Sequence, residues 1–142
     1  MTTLAGLAGI TGSLDGVGSN ARFKTPVSVG MDAGGTLALV ADSSNNLVRR
    51  LVIASGSVTT LAGATTAGTA NGVGAFARFN NPFGVFVDAY GSFALVVRWG
   101  RGAYGSFALV VKWGREGRGR GLLSPTSPTG TGGRRVDPAT VH

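Results

Sequence analysis

The sequence predicts an all-β chain: an incomplete β-propeller of four-stranded antiparallel blades, followed by a disordered C-terminal tail. Three observations carry that expectation. Short aliphatic runs alternate with polar residues at a period of two and are bounded by Gly, Asn, Asp and Ser. The runs recur in the same order at a separation of 56 or 57 residues. The last stretch, REGRGRGLLSPTSPTGTGGRRVDPATVH, has no strand-like run and too little apolar content to offset the entropy of ordering.

Taken in order, residues 1–25 hold TTLAG at 2–6, read as the end of a preceding blade, and then a glycine-rich crossover, DGVGSNARF. Residues 26–63 read as one complete blade. Val27, Val29 and Met31 alternate with Ser28, Gly30 and Asp32, and three more runs follow: LALVAD at 37–42, LVRRLVI at 47–53 and SVTTLA at 57–62. Their corners are rich in Asp, Asn, Ser and Gly, which cap their own backbone or accept left-handed dihedrals. Residues 64–81 form the second crossover, with NGVGAFARFNNP answering DGVGSNARFKTP. Its glycines permit sharp turns, and Phe23 and Phe79 are placed to plug the wedges between blades. Residues 82–113 are a partial or duplicated second blade. There YGSFALVVRWGRGA at 90–103 is repeated almost letter for letter as YGSFALVVKWGREG at 104–117. A local tandem duplication explains this, with the second FALVV available for the third-strand slot and able to pair with the first as a hairpin. Residues 114–142 are the basic Gly/Arg/Pro/Ser tail. No helical periodicity competes, and 25 glycines oppose one.

The strings Pro26-Val-Ser-Val-Gly-Met-Asp32, Leu37-Ala-Leu-Val-Ala-Asp-Ser43, Asn45-Asn-Leu-Val-Arg-Arg50 and Val58-Thr-Thr-Leu-Ala-Gly63 resemble the repeat of the NHL family of β-propellers. The second unit keeps Pro82, Gly84, Val85, Val87, Asp88 and Gly91, then departs at Arg98-Trp99. The resemblance implies a non-enzymatic repeat module for protein or macromolecular interaction, and about two repeats of it imply a fragment or truncated product. Open blade faces then become the expected sites for a protein partner or for self-association. Lyases of the family use metal-bound histidines. The one histidine here is His142, so that activity does not carry over.

Charge and composition narrow the chemistry. The net charge is +7, yet through Val97 the bases Arg22, Lys24, Arg49, Arg50 and Arg78 nearly balance Asp15, Asp32, Asp42 and Asp88. The excess lies in the tail. The chain has no Cys, which excludes disulfides and thiolate chemistry, and together with the lack of histidines it removes the usual zinc and nucleophilic sites. GVGSNA and GVGAFA lack the lysine and the helix that a phosphate loop needs. No metal, cofactor or catalytic residue is expected. Asp32, Asp42, Asn45, Asn46 and Asp88 read as turn positions; a carboxylate ring holding a cation would need more blades.

Two basic surfaces remain. Arg22, Lys24, Arg49, Arg50 and Arg78 form a candidate interaction face. Arg98, Trp99, Tyr104, Lys112, Trp113, Arg115, Arg118 and Arg120 could meet phosphates and stack on bases, which makes weak nucleic-acid binding the alternative function. The N-terminus has no basic stretch before an apolar core and is a poor signal peptide. No run approaches the ~20 apolar residues that span a bilayer, so the chain is expected to be soluble.

Overall fold

The computed structural model describes residues 1–90, 93–98, 107–112 and 140–141. The chain forms β1 (Gly16–Val17), β2 (Pro26–Met31), β3 (Leu37–Asp42), β4 (Leu47–Val52) and β5 (Ser57–Gly63), then β6 (Gly72–Val73), β7 (Pro82–Val87), β8 (Phe93–Arg98), β9 (Phe107–Lys112) and β10 (Thr140–Val141). Single 3-10 turns follow β1 and β6, at Gly18–Asn20 and Gly74–Phe76. A third, Ser43–Asn45, joins β3 to β4. The strands of the first unit fall within a residue of the alternating runs, because the period and the turn chemistry that set them are both local.

These strands make two five-stranded sheets, ordered β1-β5-β4-β3-β2 and β6-β10-β9-β8-β7. Every pairing is antiparallel. The two copies of FALVV pair along their whole length, from Phe93 opposite Lys112 to Arg98 opposite Phe107. The second copy thus occupies the third-strand position of its sheet. Bulges interrupt the register at equivalent places, between Pro26 and Ser28 and between Pro82 and Gly84.

The core lies between the sheets. Leu37, Leu39, Ala41, Val48 and Ala62 of the first meet Val85, Ala94 and Val96 of the second, with Ala77 and Phe79 from the connecting segment. Small residues let the layers close up. A Cβ on Gly30 would stand 2.7 Å from the Val85 carbonyl oxygen. Gly63, at φ +101°, sits so close to the Asn46 carbonyl and to the Phe79 ring, 2.9 Å from a built Cβ, that no side chain fits.

This architecture corrects the propeller expectation. Each sheet is open, with two free edges and five strands instead of four, because the short crossover segments β1 and β6 join the ladders. No closed ring of blades forms. The expected use of open blade faces by a protein partner or for self-association falls with it. The facing sides of the two sheets fill each other, and segment 1–25 lies against the outer side of the first, where Ala38, Val40 and Arg49 are buried. The tail is not wholly unstructured either: Thr140–Val141 pairs with both β6 and β9. An inner strand there satisfies backbone groups that β6 and β9 would otherwise leave bare.

Candidate functional site

Alternation along β4 sends Leu47, Arg49 and Leu51 to one side and Val48, Arg50 and Val52 to the other. Arg49 therefore enters the side covered by segment 1–25, and it is completely buried. A buried guanidinium needs partners for its donors. Its Nη1 donates to the Arg22 carbonyl and to Asp42 Oδ2, each at 2.9 Å. Its Nη2 donates to the Leu14 carbonyl and to Asp15 Oδ1, each at 2.8 Å. The Phe23 ring lies 5.2 Å from the guanidinium carbon, within cation–π range. Only Nε, also buried, has no partner.

Asp42 is the second buried member. Its Oδ1 accepts from the Lys24 backbone N–H at 2.8 Å and its Oδ2 from Asn45 Nδ2 at 2.7 Å, besides Arg49. Asn45 Nδ2 also reaches the Gly12 carbonyl at 2.6 Å. Asp15 is half exposed and accepts a further bond from the Thr60 hydroxyl at 2.9 Å. The cluster ties residues 12–24 to the first sheet. Its carboxylates already hold a guanidinium, so it is built to staple a segment in place and leaves no open ligand position.

The expected basic face is not assembled. Arg49 and Arg50 point to opposite sides of β4, one buried and the other exposed. Arg22 and Arg78 each bend back onto carbonyls of their own 3-10 turns, Ser19 and Ala21 for one, Ala75 and Ala77 for the other. Lys24 is exposed. Of the expected nucleic-acid contacts, Trp99, Tyr104, Trp113, Arg115, Arg118 and Arg120 lie outside the described residues. Arg98 and Lys112 are placed only as the last residues of β8 and β9.

At the turn positions, Asp32 accepts from the Thr36 and Leu37 backbone N–H groups and from the Thr36 hydroxyl, at 2.7–2.9 Å. The Leu37 N–H first, then the Thr36 hydroxyl, hold its carboxyl below the ordinary value of 3.8. Asn46, at φ 57°, donates to the Thr65 carbonyl and accepts from the Asn81 N–H. Asp88 Oδ2 accepts from the Tyr90 N–H at 3.3 Å.

Sequence reasoning missed two features. One is the inward guanidinium. Its signal was that both sides of β4 are otherwise aliphatic, so one arginine of the pair had to go in. The other is the aromatic exposure around β7: Phe83 at 55%, Phe86 at 63% and Tyr90 at 93%. A built Cβ on Gly84 lies 3.5 Å from the Phe86 ring, so the ring stands over its own strand and not in the core.

The described residues thus make a small all-β domain of two open sheets, stapled by a buried ion cluster. No protein-family model matches the chain, and no curated protein does. The NHL resemblance is therefore corrected: the quoted strings carry the internal repetition but do not place the chain in that family. Two solved structures are similar, both from Bacteroides thetaiotaomicron VPI-5482. A structural genomics protein of unknown function matches with TM-score 0.59 and 26% identity over 66% of this chain and 23% of its own. An auxiliary nutrient binding protein matches with TM-score 0.55 and 28% identity over 65% and 24%. The chain spans about a quarter of the length of each.

Among the described residues, no group of three or more His, Cys, Asp or Glu is placed to hold a metal ion. No helix among them is long and apolar enough to cross a membrane.

Proposed function

We infer that the chain is a non-enzymatic β-sheet binding domain whose contact surface is the aromatic strip on and after β7. The observation that carries this is the exposure of Phe83, Phe86 and Tyr90 beside a core that buries Phe79 completely. Aromatic rings left in water offer flat apolar area at little cost in side-chain entropy, and such rings line most small-molecule sites. One of the similar structures is an auxiliary nutrient binding protein. That supports a small soluble nutrient with an apolar face, a saccharide being the first to test.

The interaction module inferred from the NHL resemblance is replaced by this reading, since no family model supports it. Weak nucleic-acid binding loses its folded component, because Arg49 is inside the protein. Isothermal titration of the full chain with a panel of soluble oligosaccharides should show saturable binding that Phe86→Ala abolishes while the far-UV spectrum is unchanged. Binding that survives both Phe83→Ala and Phe86→Ala, or no binding across the panel, would overturn the inference.

A further inference from the structure

The two sheets differ in one place that the repeat makes measurable. In the first, β4 is paired along its whole length with β5, from Val52 opposite Ser57 to Leu47 opposite Gly63. In the second, β10 takes the same position beside β9 but pairs only with Lys112 and Val111. The matching pairs of β1 with β5 and of β6 with β10 make Thr140 and Val141 the counterparts of Ser57 and Val58. The counterparts of Thr59 to Gly63 are missing. Among the described residues, positions 107–110 of β9 have no strand on that side.

The missing string is TTLAG, and the chain carries it a second time at residues 2–6. There it belongs to no strand, and Thr2, Thr3 and Leu4 are exposed. Its placement matches its twin. Gly6 has φ +98° and lies against Phe23, as Gly63 has φ +101° and lies against Phe79. Residues 2–6 thus stand where a fifth strand would stand, with no described sheet beside them. At the other end of the molecule a sheet lacks the greater part of its fifth strand.

We propose that residues 2–6 of one copy add to the open edge of β9 in a second copy. The register follows from the first sheet, where Thr59, Thr60, Ala62 and Gly63 face Arg50, Arg49, Val48 and Leu47. Thr2 falls opposite Val110, Thr3 opposite Leu109, Ala5 opposite Ala108 and Gly6 opposite Phe107, with Leu4 at the bulge. Main-chain hydrogen bonds supply the contact, as in other strand additions, and they run along a sheet edge, away from the sheet faces. The aromatic strip is not involved, so this proposal and the binding function fail separately.

The absence of cysteine gives a clean test. Opposed residues of an antiparallel pair have Cα atoms about 4.5–5.5 Å apart, within disulfide range. Full-length Thr3→Cys and Leu109→Cys chains, mixed and oxidised mildly, should give a covalent dimer. Its yield should exceed that with Thr66→Cys in place of Thr3→Cys by roughly tenfold or more, as a tethered pair held at high effective concentration requires. A yield equal to that control overturns the proposal. Sedimentation velocity covers the case that Leu109→Cys perturbs the sheet. The unmodified chain should associate with rising concentration, and a Thr2→Pro/Thr3→Pro chain, whose exposed N-terminus has lost two ladder donors, should remain monomeric. Monomers throughout, or association that the prolines leave intact, overturn it equally.

Discussion

Arg49 joins three parts of the chain: the Leu14–Asp15 stretch, the Arg22–Phe23 stretch and the end of β3 at Asp42. Removing it leaves Asp42 charged and buried with only neutral donors. Arg49→Met should therefore cost about 3–5 kcal/mol in chemical denaturation. Adding Asp42→Asn to that variant should recover part of the loss, since the stranded charge is gone, whereas a second substitution that adds to the loss would show that the pair itself is not the source. A different residue-scale cost sits at Thr25, a β-branched residue at φ 52°. Its counterpart is Asn81, at φ 48°, and asparagine tolerates the left-handed region better. Thr25→Asn should raise stability by about 0.5–1 kcal/mol, read as a higher denaturation midpoint with an unchanged slope.

At the scale of elements, the approach of β2 to β7 depends on the absence of a side chain at Gly30. A methyl there would meet the Val85 carbonyl at 2.7 Å and Val87 Cγ2 at 3.2 Å, and backbone cannot move aside cheaply. Gly30→Ala should cost about 1–3 kcal/mol. Gly34→Ala, whose new methyl would meet only side-chain atoms at 3.7 Å, should be close to neutral in the same urea titration. Strands such as Leu37–Asp42 were legible in sequence because alternation and corner residues act within a few positions. Sheet membership was not. That β1 and β6 extend the ladders, and that Thr140–Val141 reaches β9 from almost thirty positions away, depends on which edges lack partners, and no local pattern records that. The site was less legible than the fold. Asp32 could be read as a turn residue from its neighbours, but a basic face was expected at Arg49 and Arg50, since a charged pair on a strand looks alike whichever member points inward.

The molecule as a whole has one shared hydrophobic cluster, and neither sheet has one of its own. Each five-stranded layer buries its apolar side against the other, with Phe79 from the connection filling the space between Val48, Ala62 and the second sheet. A sheet that loses its partner exposes that side to water, at about 25 cal/mol for each Å² of apolar surface. The sheets should therefore unfold together. Far-UV circular dichroism reports on both, while Trp99 and Trp113 follow β8 and β9 directly in sequence and report on the second. The two signals should give one coincident transition in urea. Phe79→Ala, which empties the centre of the cluster, should move both signals to a lower midpoint together, by about 3–5 kcal/mol. Tryptophan fluorescence that changes at a lower urea concentration than the dichroism would mean the second sheet melts alone. In that case the first sheet draws its stability from the Arg49 cluster and segment 1–25, and the core between the layers is secondary.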